Sequence, residues 1–410
     1  MKSIRIATRT LFCLFSVLSV LVFSAIIYID AKLSDSYKIS QGESLEIDSS
    51  LPISISYLTA TDSGVEQGGV KNSFDAKIKV FGIIPARNIT VNVIDNYYVS
   101  VLGTPFGIKI YTDGVLVIGF SEVDTSRGKV NPAKSAGIKE GDFIVSLDGV
   151  KVYTNEEVMN IIKNSMGEYI SAKIVRNGVK MTIRFKAGLS SDGVYRAGMW
   201  VRDSSAGIGT LTFYSPSVNV VSGLGHGIND SDTDTLLTLN RGEFVTARIV
   251  SVIKGKSGSA GELVGHFSGK TISTFETNCE QGVYGISKCD IDTTNLMRVA
   301  MKQEVKNGPA YILTTIDGVT PHYYSCNIKV KGMGETQNIL VEITDEKLLS
   351  ATGGIVQGMS GSPIIQNGKL VGAVTHVLVD DPTKGYGIFA ENMLQTAQSV
   401  AEEQKLKDAS

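Results

Sequence analysis

Residues Gly353 to Ile365 read GGIVQGMSGSPII, and Ser360 lies among the glycines of this stretch. A serine hydroxyl cleaves a peptide bond when a base can take its proton and N–H groups face the oxygen that becomes negative. Small neighbouring residues let the backbone approach a substrate carbonyl closely. Ser360 is therefore a candidate nucleophile, and the backbone N–H groups of Gly358 and Ser360 are candidates for an oxyanion hole. Turns also use serine and glycine freely, so the motif alone is weak.

The base that such a serine needs is usually a histidine, and the chain has four. His226 lies between glycines in SGLGHGIND and precedes Ser360, which is the order found in trypsin-like enzymes. His266 is a rival, whereas His322 follows a proline in a predicted loop. His376 lies on the strand after Ser360, where we expect it to pack or to be exposed. His226 is the preferred base.

A third residue, usually a carboxylate, orients the imidazole and offsets its charge. The candidates are Asp345 in VEITDEKLLSATGG, Asp230 near His226, and the adjacent Asp380 and Asp381. Their spacing does not choose among them.

The residues around Ser360 also predict a fold. IIQNGKLVGAVTHV, which follows it, predicts two strands joined by an Asn367-Gly368 turn. A G-x-S-G-x-P segment that leads into such a hairpin resembles trypsin-like peptidases. Residues 188–410 consist mainly of short apolar runs separated by turn residues, which favours a double β-barrel peptidase domain.

An earlier segment has a different glycine pattern, A-G-I-x-x-G-D-x-I-x-x-L-D-G at residues 136–149. A helix with capping-box spacing and a hairpin follow. Residues 98–187 thus resemble a PDZ domain of the bacterial, protease-associated kind. Such a domain binds an extended peptide at an exposed strand edge, which the resemblance puts at Gly107, Ile108 and Lys109, with the helix from Asn155 as the opposite wall. The alternative is a small β-rich domain without a ligand.

The N-terminus predicts a membrane anchor. Lys2, Arg5 and Arg9 precede an uncharged run at residues 11–29, long enough to cross a bilayer as a helix. The basic residues place the N-terminus in the cytoplasm and the remaining chain outside; a cleaved signal peptide is the alternative. We therefore predict a mostly β protein with a cytoplasmic N-terminus and anchor at 1–29, a tether and small β region at 30–97, and the two domains above.

Composition excludes several functions. The net charge of −2 gives no support for a nucleic-acid partner. Because the chain has no Gly-x-x-x-x-Gly-Lys loop and no Cys-x-x-Cys pair, we expect no nucleotide, metal or other cofactor. Cys279 and Cys289 could form a disulfide in an oxidising compartment, although reduced, buried thiols explain them equally well.

Taken whole, the chain resembles the stage IV sporulation protein B family of serine peptidases from endospore-forming bacteria. The resemblance rests on the single span, the PDZ pattern, and the strings RDSSAGIGTLTFYSP, GLGHGIND, TGGIVQGMSGSPIIQNGKLVGAVTHVLV and PTKGYGIFAENML. It matches His226, Asp345 and Ser360 to the catalytic triad. Asp345 precedes the serine far more closely than in trypsin-like enzymes.

The resemblance also implies a setting. Such proteins are exported into the space between the forespore membranes, where they cleave themselves. They then cut the extracytoplasmic part of a membrane-bound regulator, which frees an intramembrane protease to process a sigma-factor precursor in the mother cell. The expected partners are therefore protein substrates, including the chain itself. A non-catalytic PDZ scaffold that tethers spore-envelope proteins is the alternative.

Overall fold

The computed structural model describes residues 11–17, 19–20, 22–24, 27, 33–40, 42, 44–47, 51–61, 70–332 and 334–409. These residues are mostly β, as predicted. The first twenty-one strands of the described part of the chain are β1 (Ser36–Ser40), β2 (Ile53–Thr61), β3 (Val70–Val80), β4 (Ile84–Ile94), β5 (Tyr98–Val101), β6 (Pro105–Phe120), β7 (Val123–Thr125), β8 (Gly128–Val130), β9 (Phe143–Leu147), β10 (Val150–Lys151), β11 (Tyr169–Arg176), β12 (Val179–Lys186), β13 (Gly188–Leu189), β14 (Tyr195–Arg196), β15 (Met199–Ser215), β16 (Val220–Gly223), β17 (Leu239–Ile253), β18 (Glu262–Thr274), β19 (Thr277–Cys279), β20 (Gly282–Ile286) and β21 (Leu296–Arg298).

The remaining strands are β22 (Gly308–Thr314), β23 (His322–Val330), β24 (Ile339–Ile343), β25 (Pro363–Gln366), β26 (Lys369–Val377) and β27 (Lys384–Phe389). Four helices are used below: α1 (Pro132–Ser135), α2 (Asn155–Asn164), α3 (Glu346–Thr352) and α4 (Ala390–Asp408). A 3₁₀ turn covers Lys302–Glu304.

The predicted membrane-spanning segment, 11–29, lies partly outside the described residues. Where it is described it is helical, with exposed apolar side chains such as Leu11, Phe15 and Phe23. Among the described residues, no helix combines the length and the apolar character needed to span a bilayer.

The N-terminal β region forms a four-stranded sheet in the order β1-β4-β3-β2. Its central hairpin, β3 and β4, confirms the period-two pattern in the sequence. Ala76, Ile78 and Val80 alternate with more exposed residues and are fully buried. One face of the sheet therefore supplies a small core of its own.

The second half of β6 joins β9, β11 and β12 in the region predicted to be a PDZ domain. Thr154 and Glu157 form the predicted capping box at the start of α2. Val158 and Ile162 of that helix belong to the same buried hydrophobic cluster as Ile144 and Ile174 of the sheet. Strands packed beneath two helices give this region its PDZ-like arrangement.

The C-terminal part contains a closed barrel of six strands, β22-β23-β24-β27-β26-β25. A second closed barrel, which the sequence pattern predicts, is not found in the described part of the chain. Strands β15 to β20 instead belong to a thirteen-stranded open sheet that also includes β6, β9, β11 and β12. The difference arises because β6 continues past the PDZ-like region and pairs with β15 and β17.

Of the two alternatives for Cys279 and Cys289, the structure shows the reduced one. Cys279 and Cys289 are both free thiols, and each donates to a carbonyl oxygen, that of Gly282 or of Ile272, at 3.6 Å. Burial raises the pKa of the Cys326 thiol to about 12. In the described part of the chain, no three His, Cys, Asp or Glu side chains are placed to hold a metal ion.

Candidate active site

The loop that carries Ser360, residues 353–362, connects α3 to the hairpin of β25 and β26. We call it the Ser360 loop. The hairpin turns at Asn367 and Gly368, whose φ angles of 52° and 72° are those of a type I′ turn. The predicted order of glycine-rich loop, strand, turn and strand is confirmed.

Two glycines let the Ser360 loop lie against the neighbouring sheet. Gly358 and Gly361 have φ angles of 93° and 96°, which side chains other than glycine rarely adopt. A Cβ atom on Gly361 would lie 1.9 Å from the carbonyl oxygen of Thr210 on β15. The glycines are therefore required both by conformation and by the close approach of β15.

Hydrogen bonds fix the two peptide planes that carry the candidate oxyanion donors. The carbonyl of Gln357 accepts from the N–H of Leu263 at 2.8 Å. The carbonyl of Met359 accepts from both the N–H and the Oγ of Ser362, at 2.9 and 2.6 Å. Because C=O and N–H point in opposite directions across a trans peptide, these bonds also set the directions of the next N–H groups, those of Gly358 and Ser360. Neither N–H has an acceptor among the described residues.

The Ser360 side chain is held by the neighbouring strand. Its Oγ donates to the carbonyl oxygen of Thr375 on β26 at 2.5 Å. Thr210 holds the backbone on the other side, because its N–H donates to the Ser360 carbonyl at 2.9 Å and its Oγ1 to the Gly358 carbonyl at 2.8 Å. The loop is thus fixed between β15 and β26.

His226 lies just after β16, and a left-handed turn at Leu224 and Gly225 brings it to the Ser360 loop. Its Nδ1 lies 2.7 Å from the carbonyl oxygen of Gly227. A carbonyl can only accept, so Nδ1 carries the proton and Nε2 keeps its lone pair, as a general base requires. Burial, and secondly the neighbouring His376, lower the pKa of His226 from 6.5 to about 4. The imidazole is therefore neutral at pH 7.

His376 is exposed on β26, which is one of the two expectations from the sequence, but sequence reasoning missed that its ring lies next to the predicted base. Its ring centroid is 4.4 Å from that of His226, and the two planes are tilted by 34°. Partial desolvation of its ring lowers the pKa of His376 as well. The signal available in the sequence was its place on the strand that returns from Ser360, because that strand must pass beside the loop.

No carboxylate in the described part of the chain is hydrogen bonded to His226. Asp345 instead begins α3: its Oδ1 accepts from the N–H groups of Lys347 and Leu348, each at 3.0 Å, and its Oδ2 accepts from Ser325 N–H at 3.4 Å. Its assignment as the orienting acid stays a prediction.

The other acidic and histidine candidates lie elsewhere. Asp230 is paired with Arg202, and Asp381 bonds Thr383 and Lys384, while Asp380 is exposed. His322 is exposed at the start of β23. His266 lines a second cavity next to the Ser360 loop.

Ser360, His226 and His376 line one cavity of about 390 Å³. Gly358 and Thr375 line it as well, so the candidate nucleophile, base and donors meet at one place. This convergence matches the requirements of peptide-bond cleavage by serine.

The predicted peptide-binding edge of the PDZ-like region is not open. Gly107, Ile108 and Lys109 lie in the first half of β6, which pairs with β15 on one side and with β17 on the other. Lys109 also forms an ion pair with Glu243 of β17 at 3.0 Å. The expectation that a peptide adds to this edge is wrong for this structure, because strands of the same chain occupy both sides.

Comparison with known protein families gives a match over residues 193–394 to the family described as SpoIVB peptidase S55. Through this segment the chain belongs to the SpoIVB peptidase S55 family. The match includes His226, Ser360 and His376, and it confirms the family resemblance that the sequence showed. The family consists of sporulation-related serine peptidases.

Two further similarities are shorter. The serine protease Do-like HtrA of Bacillus subtilis (strain 168) is 38% identical over 58 residues, which are 14% of this chain and 13% of that protein. The chain therefore matches about an eighth of that relative's length. The PDZ domain of the SdrC-like protein from Listeria monocytogenes is 16% identical, with a TM-score of 0.18, over 22% of this chain and 87% of its own.

Proposed function

We propose that the chain is a serine endopeptidase in which Ser360 is the nucleophile and His226 the general base. One observation carries the proposal: Ser360 and His226 line the same cavity, beside two backbone N–H groups whose directions are fixed and which have no acceptor in the described structure. Such donors stabilise the negative oxygen of a tetrahedral intermediate.

The resting hydroxyl must turn before it reacts. Ser360 Oγ donates to the Thr375 carbonyl, so its proton is not yet directed at His226. We propose that rotation about χ1 releases the Thr375 carbonyl and directs the Oγ proton towards His226 Nε2. We infer that a bound peptide favours the rotated state, because its carbonyl takes the place beside the N–H groups of Gly358 and Ser360.

Each step of the proposed reaction is assigned to one of these groups. Ser360 Oγ attacks the substrate carbonyl carbon while its proton passes to His226 Nε2, and the carbonyl oxygen becomes negative beside the two N–H groups. The imidazolium returns the proton to the leaving amine nitrogen, and the peptide bond breaks. A water molecule, activated by the same imidazole, hydrolyses the acyl-enzyme.

A catalytic role of Asp345 can be tested separately from its role as the cap of α3. Asparagine begins helices about as well as aspartate, so Asp345→Asn keeps the cap of α3 and removes the charge. A fall in kcat on the order of 10⁴-fold identifies Asp345 as the orienting acid. Full activity assigns it to the cap alone and leaves the Gly227 carbonyl and the His376 ring as the groups that orient His226.

We propose the biological setting from the family and from the N-terminal apolar segment. The peptidase is tethered to a membrane by residues 11–29, with its bulk in the space between the forespore membranes. It cleaves itself and then the extracytoplasmic part of a membrane regulator of an intramembrane protease, so that a signal passes from forespore to mother cell. These steps are proposals for this chain.

The test is intact-mass analysis of the full chain over time, as wild type and as Ser360→Ala. The wild type is expected to shorten and the variant to stay whole with the same circular dichroism spectrum. A serine-directed covalent probe should label the wild type only. Equal shortening of both proteins would contradict the serine mechanism.

A further inference from the structure

The cavity beside Ser360 has no charged wall. None of the nineteen residues that line it in the described structure is Asp, Glu, Lys or Arg. Eight are isoleucine, leucine or valine, among them Ile108 and Ile110 of β6, Ile208 of β15, and Ile355 of the Ser360 loop. A substrate side chain that enters this space therefore meets mainly aliphatic surface.

The aliphatic wall is closely packed, so its shape does not adjust to the substrate side chain that enters. Ile110 is 1% exposed and Ile355 is 2% exposed, and both pack within larger cores. The backbone of Ile355 is tied to Pro382 by a hydrogen bond of 2.7 Å. Because these residues are closely packed, the wall cannot rearrange to place a charged side chain next to a charged ligand.

Two basic residues on the strands that line the cavity, β6 and β15, are paired with carboxylates of the same chain. Lys109 bonds Glu243 at 3.0 Å, and Arg202 bonds both Asp230 and Asp232. The two imidazoles in the wall, His226 and His376, are neutral at pH 7. A lysine, arginine or carboxylate side chain in the cavity would lose water without gaining a partner, which is unfavourable.

The cavity also contains the groups that act on the scissile carbonyl. Gly358 and Ser360 line it together, so the side chain that enters it belongs to the residue that supplies that carbonyl. A second cavity of about 550 Å³ continues past Ile208 and Gly358, and Glu262 and His266 give it polar walls. The apolar preference therefore applies to one substrate position and not to the whole cleft.

Resting on the proposed function, we infer that the enzyme cleaves on the carboxyl side of an aliphatic residue such as leucine or valine. It discriminates against lysine, arginine, aspartate and glutamate at that position.

The test uses the full wild-type chain in detergent and quenched decapeptides that differ only at the residue before the scissile bond. That residue is leucine, valine, lysine or glutamate, and the flanking residues come from the self-cleavage site found by mass analysis. The leucine and valine peptides are expected to be cleaved with kcat/KM about 100-fold above the lysine and glutamate peptides.

A wall variant sharpens the test. Ile208 is only half-buried and lines both cavities, so it tolerates a polar group better than Ile355 does. Ile208→Asp is expected to raise the ratio of lysine to leucine cleavage at least about tenfold, because the carboxylate gives lysine a partner. The matched Ile208→Asn variant is expected to leave that ratio near the wild-type value.

The outcomes separate the two proposals. Preferred cleavage after lysine or glutamate, or rates within about threefold for all four peptides, overturns the inference about specificity. If Ser360→Ala is inactive in the same assays, the proposed serine mechanism still stands. Cleavage that persists in Ser360→Ala overturns the serine mechanism. Failure of the wild type to cleave any of the peptides overturns both.

Discussion

The pattern G-x-S-G-S occurs at residues 255–259 and again at residues 358–362. In both copies the glycine after the first serine is left-handed: φ is 81° at Gly258 and 96° at Gly361. The first copy, here called the Ser257 turn, is an exposed turn closed by hydrogen bonds between Lys256 and Ser259. The second lies in a cavity beside His226.

The difference between the two copies shows what the motif contributes. Serine and glycine in this order allow a tight turn in both places. Only the Ser360 loop has a base, fixed N–H groups and an apolar cavity around it, because β15, β16 and β26 meet there. Each residue of the Ser257 turn is thus a matched control for its counterpart in the Ser360 loop.

The largest difference is expected for the serines themselves. Ser360→Ala should lower kcat/KM at least about 1,000-fold, because the oxyanion donors alone cannot replace the nucleophile. Ser257→Ala should leave kcat/KM unchanged. Peptide cleavage assays on both variants measure the effect, and equal losses would show that the Ser257 turn takes part in the reaction.

The next difference concerns the last glycine of each pattern. Gly361→Ala should lower the free energy of unfolding by about 3 kcal/mol, the sum of left-handed strain and contact with β15. A Cβ atom on Gly258 meets nothing within 4 Å, so Gly258→Ala should cost only about 1 kcal/mol. Urea unfolding compares the two midpoints. Similar shifts would mean that β15 moves away to accept the methyl group.

A smaller difference is expected for the final serines. Ser362→Ala removes one donor from the Met359 carbonyl and so loosens the peptide that carries the Ser360 N–H. We expect kcat to fall about tenfold with little change in KM, since the bond supports the transition state. Ser259→Ala should be silent. A rise in KM alone would assign Ser362 to substrate binding instead.

The smallest effect is a shift in pH dependence. Only neutral His226 accepts a proton, so kcat/KM should fall as the pH drops through about 4. His376→Gln removes the second of the two causes that lower the pKa of His226, so the acid side of the pH–rate profile should move to higher pH. The shift should be small, because burial is the larger cause and stays in place. A pH–rate profile of both proteins measures the shift; an unmoved limb would show that the two rings titrate independently.

The same pKa has a consequence for stability. The unfolded chain binds a proton at His226 near pH 6.5 and the folded chain only near pH 4, so the unfolded state holds more protons between these values. This histidine therefore lowers the free energy of unfolding as the pH falls from 6.5 towards 4. His226→Gln should reduce that dependence.

Local patterns predicted the local structure well. The capping box of Thr154 and Glu157, the turn at Asn367 and Gly368, and the alternation around Ile78 all form as expected, because each depends on neighbouring residues alone. The sequence TDEK around Asp345 also has the form of a helix start, and the aspartate does cap α3. The helix-start pattern could thus have been recognised before the structure.

The errors concern pairings between distant segments. The edge at Gly107–Lys109 looked free because nothing local shows that β15 and β17 will cover it. The bond from Lys109 to Glu243 joins residues 134 positions apart. Strand pairing over such distances depends on the whole sheet and not on the propensity of one strand.

The sequence by itself determined the turns, the glycine positions, the mostly β fold and the family, because these follow from local conformation or from long matching strings. Tertiary structure decided which of two G-x-S-G-S turns meets a histidine, that His376 lies against His226, and that no carboxylate in the described part of the chain is hydrogen bonded to His226. It also decided that the cavity is aliphatic. Each of these depends on where strands far apart in the chain are brought together, which no local pattern specifies.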